Sequence, residues 1–412
     1  MKVVTTISKH LNPERIFMLS ALLVNAGNYV YNLLLGRILG PKEFADAAIL
    51  ITFLLVLSFL AMTFQLVAAK YVVLFEKSVF QRFLQILVKN TFIIGLVIGV
   101  LIIIFANQLQ AVFNTSTSSM FMIFGVGVPI YFIMSINRGV FQGQKLFDKL
   151  AITYQGEMLS RLALTLLFLY ILNIPSSVIV SIGILISFFF GLLPYKLKTN
   201  SENPSVFTSS HKKVVFKFFV LTAFYECTQI IINNSDILLV KHYFPSYEAG
   251  LYASLALIGR VVYFVAWMFV MLLLPNVVNK EKEGLPHGNV LLKYVIYISL
   301  LAFAIVAGSY LFPEFVVNIM FGKEYISIVP LLWKYALATS IFAISNVFAY
   351  YFLSIDKYVP VILSAVMGIA QVVLIIFFHN SLLQVVIMQI IAMSLLLLVQ
   401  LIFFLSYQYI KK

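Results

Sequence analysis

The sequence predicts an all-α integral membrane protein of twelve transmembrane helices, arranged as two six-helix halves. Three observations carry this. The 412 residues are 62% hydrophobic and only 10% charged, against about 25% charged in soluble proteins. The apolar runs are continuous and long enough for helices to cross a bilayer, unlike the short alternating segments of a barrel. A polar connector, Lys196–Lys213, divides the chain near its middle.

Taken in order, the first span covers 15–36 and carries Asn25, Asn28 and Asn32. Lys2 and Lys9 precede it as in a signal peptide, but the amides and the lack of a small-residue cleavage site mark it as a retained helix. It turns at Gly36-Arg37 and Gly40-Pro41, because proline cannot continue the helical ladder. The next spans are 44–69, 86–106, 120–141, 150–172 and 176–195. The connector is rich in Ser, Asn, Pro and Thr and reads as a linker. Spans 214–240, 250–275, 290–312, 329–353, 358–378 and 382–408 follow. The expected division is therefore an N-terminal bundle over 1–200, a linker over 201–213 and a C-terminal bundle over 214–412.

The halves resemble repeats. At a shift of 204 residues Asn25 meets Gln229, Asn32 meets Asp236, Arg37 meets Lys241 and Pro41 meets Pro245. An even number of helices per half gives both halves the same orientation, with a pseudo-twofold axis along the membrane normal. Alternate loops collect 21 basic residues on the side of the termini and four (Arg37, Lys42, Lys241 and Lys323) on the other. By the positive-inside rule both termini are cytoplasmic and the protein is a multi-pass protein of the inner (plasma) membrane. The net charge of +13 follows from this bias, and no basic-aromatic cluster suggests nucleic acid.

Ionisable groups inside a membrane are costly and must face protein or water. Asn25, Asn28 and Asn32 share one helical face, and Glu226, Gln229, Asn233 and Asp236 form a similar stripe. Amides alone are read as interhelical glue; adding Glu226 and Asp236 favours a hydrated cavity. Glu157 and Arg161 are spaced for a helical ion pair, either structural or a cavity charge. Arg260 has no acid within one turn, so it either meets a distant acid, snorkels, or recognises phosphate. Lys334 is expected to snorkel. Arg138, Lys70 and Asp46 lie near span ends and are read as interfacial. Tyr29, Tyr31, Tyr350 and Tyr351 are either sugar-facing or ordinary interfacial aromatics. The five histidines fall in termini and loops and are read as solvated rather than as ligands. The single cysteine, Cys227, rules out an internal disulfide and a cysteine metal cluster. No nucleotide loop, nucleophile elbow or zinc helix motif is present. The expectation is a protein without catalytic residues, cofactor or metal.

Four stretches carry a family resemblance. LLLGRILGPKEFADAAIL, Leu33 to Leu50, looks like the opening signature of polysaccharide flippases, with Ala45 or Asp46 where the signature has glycine. DILLVKHYFPSYEAGLY, Asp236 to Tyr252, looks like its second-half counterpart. FQGQK, Phe141 to Lys145, resembles the exit of helix four, and Glu157 with Arg161 resembles the helix-five acid–arginine pattern. The family is the polysaccharide-transporter branch of the multidrug/oligosaccharidyl-lipid/polysaccharide exporter superfamily. The resemblance implies two bundles in a V around a central cavity. It implies a flippase that moves an undecaprenyl-pyrophosphate-linked oligosaccharide to the outer leaflet by alternating access, as in O-antigen and lipopolysaccharide assembly. The alternative within the superfamily is a cation-coupled multidrug exporter.

On the first reading the substrate cavity is lined by Arg161, Arg260, Glu157, Asn25, Asn28, Asn32, Gln229 and Asn233. Asp236, Glu226 or Glu157 would bind a coupling proton or sodium ion. The expected partners are the lipid-linked oligosaccharide, membrane lipids and a glycan polymerase.

Overall fold

Gly40 breaks the first long helix. The computed structural model describes residues 13–197, 207–355 and 357–411. The expected basic start at Lys2 and Lys9, residues 201–206 of the expected linker and Lys412 lie outside them. Helix α1 spans Pro13–Leu74, and Gly40 within it has φ 68° and ψ 171°. Only glycine adopts that conformation readily, and Pro41 follows it. The two arms correspond to the first two expected spans.

The first half continues with α2 (Lys77–Ile104), a short α3 (Ala106–Phe113), α4 (Ser119–Gly143), α5 (Phe147–Ile171) and α6 (Ser176–Leu192). The second half holds α7 (Ser209–Tyr243), α8 (Ser246–Gly259), α9 (Val261–Lys282) and α10 (Gly288–Leu311). A short α11 (Pro313–Met320) and a 3-10 turn (Lys323–Ile328) precede α12 (Val329–Ser354), α13 (Val359–Phe377) and α14 (Leu382–Lys411). Each expected span has its helix. The span expected over 250–275 is not continuous: α8 and α9 are separated at Arg260, whose backbone N–H still reaches Ala256 O at 3.1 Å.

Among the described residues, eight helices are long and apolar enough to cross a membrane. Helix α5, which carries Asp148, Lys149, Glu157 and Arg161, is not among them. The membrane setting is written into burial. On α2 the buried stripe is Phe80, Phe83, Leu84, Leu87, Thr91, Gly95 and Gly99, one helical face. The exposed face carries Phe92, Leu96, Val97 and Val100. Along the second half of α2 the small residues Thr91, Gly95 and Gly99 thus face protein while large apolar ones face outward, the arrangement of a lipid-embedded helix. A Cβ at Gly99 would strike the Gly125 carbonyl of α4, so glycine permits this close crossing.

The chain forms two compact units that interleave in sequence. One comprises residues up to Asn32 with Leu50–Cys227; the other comprises Leu33–Ile49 with Thr228 onward. These divisions differ from the expected linker boundary. The start of α7 packs with the first unit: Tyr71 Oη donates to Val214 O at 3.1 Å, and the Phe64 and Phe219 rings are 5.5 Å apart.

The Gly40 hairpin packs with the second unit, where α12 is central and touches α8, α9, α10, α11, α13 and α14. Tyr325 Oη donates to Gly36 O at 2.6 Å, and Arg37 donates to Ile319 O at 2.9 Å, satisfying a carbonyl at the end of α11. Asp46 pairs with Lys241 at 2.8 Å, and Lys241 also donates to Ser246 Oγ at 2.9 Å. Asp46 and Lys241 are 5% and 1% exposed, so neither the interfacial reading of Asp46 nor the loop reading of Lys241 holds. The pair closes only through the fold, since about 195 positions separate its members.

Candidate functional site

Each unit contains a buried ionic cluster built on arginine. In the first unit, α5 presents Glu157 and Arg161 one turn apart, and α4 presents Arg138. Arg138 Nη2 lies 2.8 Å from Glu157 Oε2, and Arg161 Nη1 lies 3.2 Å from Oε1. All three side chains are buried. Arg138 also donates to Thr153 Oγ1 and Thr153 O at 3.2 and 2.8 Å, with its guanidinium 4.0 Å from the Tyr154 ring centre. Arg161 donates to Asn28 Oδ1 at 2.7 Å. Asn32 in turn donates to Asn28 O at 2.8 Å. Two guanidinium groups share one carboxylate, so the cluster keeps one excess positive charge.

The second unit builds a neutral counterpart. Asp236 of α7 is fully buried. Its Oδ1 accepts from Arg260 Nη2 at 2.8 Å; its Oδ2 accepts from Tyr335 and Tyr252 at 2.8 and 3.2 Å. Arg260 also donates to Tyr335 Oη at 3.2 Å and to Asn234 Oδ1 at 3.4 Å. Of the readings open for Arg260, pairing with a distant acid is the one found. The break between α8 and α9 places it there. Beside the cluster lies a cavity of about 20 Å³, room for a single water, with Asn233, Arg260, Tyr335 and Gln389 in its wall.

The match to known proteins covers most of this frame. A family model described as polysaccharide biosynthesis protein matches residues 34–330, well over half the chain. The protein belongs to that family. An uncharacterized membrane protein of Haemophilus influenzae is 25% identical over 319 residues, covering 74% of each chain. The fold is similar to a multidrug resistance MATE family transporter of the MOP superfamily in its inward-facing conformation. That match has TM-score 0.78 and 13% identity, covering 94% of this chain and 96% of the other. It is also similar to the lipid II flippase MurJ in an inward closed conformation. There the TM-score is 0.75 and the identity 16%, covering 94% of this chain and 87% of the other. This member of the polysaccharide biosynthesis family thus shares its fold with these two membrane proteins.

The structure gathers some expected site residues and separates others. Asn28, Glu157 and Arg161 form one cluster with Asn32 attached. Asp236 and Arg260 form the other. Asn25 is exposed and contributes to neither. Gln229 is buried and accepts from Tyr263 Oη at 3.4 Å, while Asn233 donates to Gln229 O at 2.8 Å. Glu226 is half-buried and makes no ion pair among the described residues.

Arg138, Tyr252 and Tyr335 belong to the clusters but not to the expected site. Arg138 is 4% exposed, which corrects its interfacial reading. Its signal was available, since it lies within the helix that runs into FQGQK and ends at Gly143. The two tyrosines carry no local signal. Tyr31 and Tyr351 are buried, which removes them from any sugar-facing surface. His287 is also buried, 2.6 Å from Glu281 and 2.7 Å from Tyr351 Oη, so the solvated reading fails for this histidine. Among the described residues no group of three His, Cys, Asp or Glu side chains is placed to hold a metal ion.

Proposed function

We propose that this protein is a flippase that carries an undecaprenyl-pyrophosphate-linked oligosaccharide from the cytoplasmic to the outer leaflet of the plasma membrane. It would serve surface polysaccharide assembly of the O-antigen or lipopolysaccharide kind, without catalysing a reaction. The observation that carries this reading is the excess positive charge of the Arg138–Glu157–Arg161 cluster. A structural ion pair needs one cation per acid, and burying a second guanidinium is costly unless an anion visits it. A pyrophosphate is such an anion, and arginine suits its geometry. Family membership supports the glycan, and likeness to a lipid II flippase supports a lipid-linked substrate.

The two clusters take different roles on this reading. Arg161, with Asn28 and Asn32, contacts the pyrophosphate and first sugars. Arg260 is neutralised by Asp236 and has the positioning role, while Gln229 and Asn233 offer hydrogen bonds beside it. Of the acids considered for a coupling proton or sodium ion, Asp236 and Glu157 are held by arginines. Glu226 is therefore assigned the coupling role. A glycan polymerase would receive the product in the outer leaflet.

The test is a deletion strain complemented by wild type or by Arg161→Gln. Deletion is expected to abolish surface glycan and to accumulate its lipid-linked precursor, with R161Q failing to restore export at normal protein levels. The second reading, a cation-coupled drug exporter, rests on the likeness to the MATE fold. Unchanged surface glycan together with raised drug sensitivity in the deletion strain would favour it and overturn the flippase.

A further inference from the structure

The turn between α9 and α10 folds a histidine beneath itself. Gly284, at φ 67°, ends α9: its N–H reaches Glu281 O at 3.1 Å, and the Leu285 N–H reaches Lys280 O at 2.9 Å. This is the closure that a left-handed glycine allows at a helix end. His287 then opens α10, its carbonyl accepting from the Val290 and Leu291 N–H groups. Glu283, Gly284 and Leu285 are exposed, yet His287 is buried. It lies at the far end of the second unit's core from the Asp236 cluster, and neither ionic cluster uses it.

Both nitrogens of the ring are engaged. Nε2 lies 2.6 Å from Glu281 Oε2, and Nδ1 lies 2.7 Å from Tyr351 Oη. A carboxylate accepts, so Nε2 carries the proton, and Nδ1 of the neutral ring accepts from the tyrosine hydroxyl. A second proton on the ring makes Nδ1 a donor to Tyr351 Oη, and the hydroxyl hydrogen must turn elsewhere. Tyr351 is fully buried against the rings of Phe352 and Phe404, at 5.1 and 6.0 Å, and makes no other hydrogen bond among the described residues. Stranding that hydroxyl is costly. The charge pair gained in return is worth little, because the Glu281 side chain is 44% exposed. The surrounding elements bring two further tyrosines: Tyr294 of α10, which accepts from Asn276, and Tyr407 of α14, 5.4 Å from the Phe352 ring. Lys280, Glu283 and Lys357 lie in the adjoining turns, the last two exposed.

We infer that Glu281, His287 and Tyr351 form a proton-sensitive latch, closed while the imidazole is neutral and loosened when it gains a proton. The latch is therefore complete above the range in which imidazole titrates and is lost as pH falls through that range. It fastens the α9–α10 turn to α12. The same two helices, α9 and α12, are joined again at their other end, where Arg260 donates to Tyr335 Oη at 3.2 Å. With the latch open they stay tied at that end alone. Acid then frees the end of α9 and the start of α10 while the Asp236 cluster stays intact. By loop charge this turn lies on the side of the termini, so that is the side whose acidity the latch reads. The device belongs to the second unit itself and holds under either transport reading.

The test is hydrogen–deuterium exchange on the full chain in lipid nanodiscs at about pH 7.5 and about pH 5.5, either side of the imidazole range and corrected for the intrinsic rate. Peptides over 280–291 are expected to exchange roughly tenfold faster at the lower pH, one stranded hydroxyl's worth. Peptides around Asp236 should not change. Tyr351→Phe has no hydroxyl to strand and should abolish the pH dependence. His287→Gln should abolish it as well. Glu281→Gln keeps an acceptor for Nε2 and should retain it. Equal protection of the wild-type turn at both pH values, or a dependence that survives in H287Q, would overturn the latch. A dependence that survives in Y351F or disappears in E281Q would place the sensor in the ion pair and overturn it equally. Should H287Q not fold, judged by size-exclusion behaviour, Y351F and E281Q decide between them.

Discussion

Arg138 reaches from α4 to place a guanidinium nitrogen 2.8 Å from the carboxylate of Glu157 on α5. Arg161 approaches the other oxygen of the same carboxylate. Glu157 is therefore the hub of the first unit's polar interior, and removing its charge strands two buried cations. Glu157→Gln is expected to destabilise the protein by about 3–5 kcal/mol, the cost of breaking a buried pair. The check is thermal unfolding in detergent. Adding Arg138→Gln to E157Q should recover part of the loss, because the second change removes one stranded charge. Additive losses would show that the two side chains do not share an interaction.

The second cluster makes a graded prediction. Asp236 has both oxygens engaged, one by Arg260 and the other by Tyr252 and Tyr335. Asp236→Asn leaves Arg260 buried without a counter-charge and should cost about 3–5 kcal/mol. Tyr335→Phe removes one hydroxyl from a network that keeps its ion pair, and should cost about 1–2 kcal/mol. Unfolding midpoints in one detergent rank the two. A Y335F loss equal to that of D236N would mean that the tyrosine, not the ion pair, holds α7 to α12.

These clusters mark where sequence reading stops. The twelve spans were legible because apolar length and loop charge are local properties. The Glu157–Arg161 pair was legible because it lies within one helical turn. Arg260 with Asp236 was not, since 24 positions separate them and their meeting depends on the break between α8 and α9 and on α12 closing over both. Arg138 was misplaced for a different reason. It was assigned to a helix end, whereas α4 continues five residues past it to Gly143. The repeat matched Arg37 with Lys241, but neither residue's partner could be read from that match: one caps α11 and the other pairs with Asp46. The histidines show the same limit, because His287 is buried by α12 through Tyr351, far along the chain.

Gly40 offers a backbone test. Its φ of 68° with ψ of 171° lies in a region that residues with a Cβ avoid, and an added Cβ would lie 2.8 Å from a Glu324 carboxylate oxygen. Gly40→Ala should therefore cost about 1–3 kcal/mol. Glu324 is an exposed side chain that can move aside, so the cost comes from the backbone rather than from the clash. The double variant Gly40→Ala/Glu324→Ala should then unfold at the same temperature as G40A. Recovery in the double variant would assign the penalty to the side chain instead.

The orientation of the chain in the membrane can be tested against the corrected charge count. Lys241 is buried in a pair with Asp46, and Arg138 in a pair with Glu157, so neither acts as a free loop charge. Each correction removes one cation, one from each side, and the basic excess on the side of the termini remains. Arg37, Lys42 and Lys323 are exposed on the opposite side. The positive-inside rule then places the α1 hairpin and the Lys323 turn outside the cell, with Lys149 and Lys357 in the cytoplasm. Cys227 is the chain's single cysteine, so Cys227→Ser gives a clean background. Single cysteines at Lys42 and Lys323 should react with an impermeant maleimide in intact cells. Cysteines at Lys149 and Lys357 should react only after the membrane is opened. The reverse pattern would invert the protein.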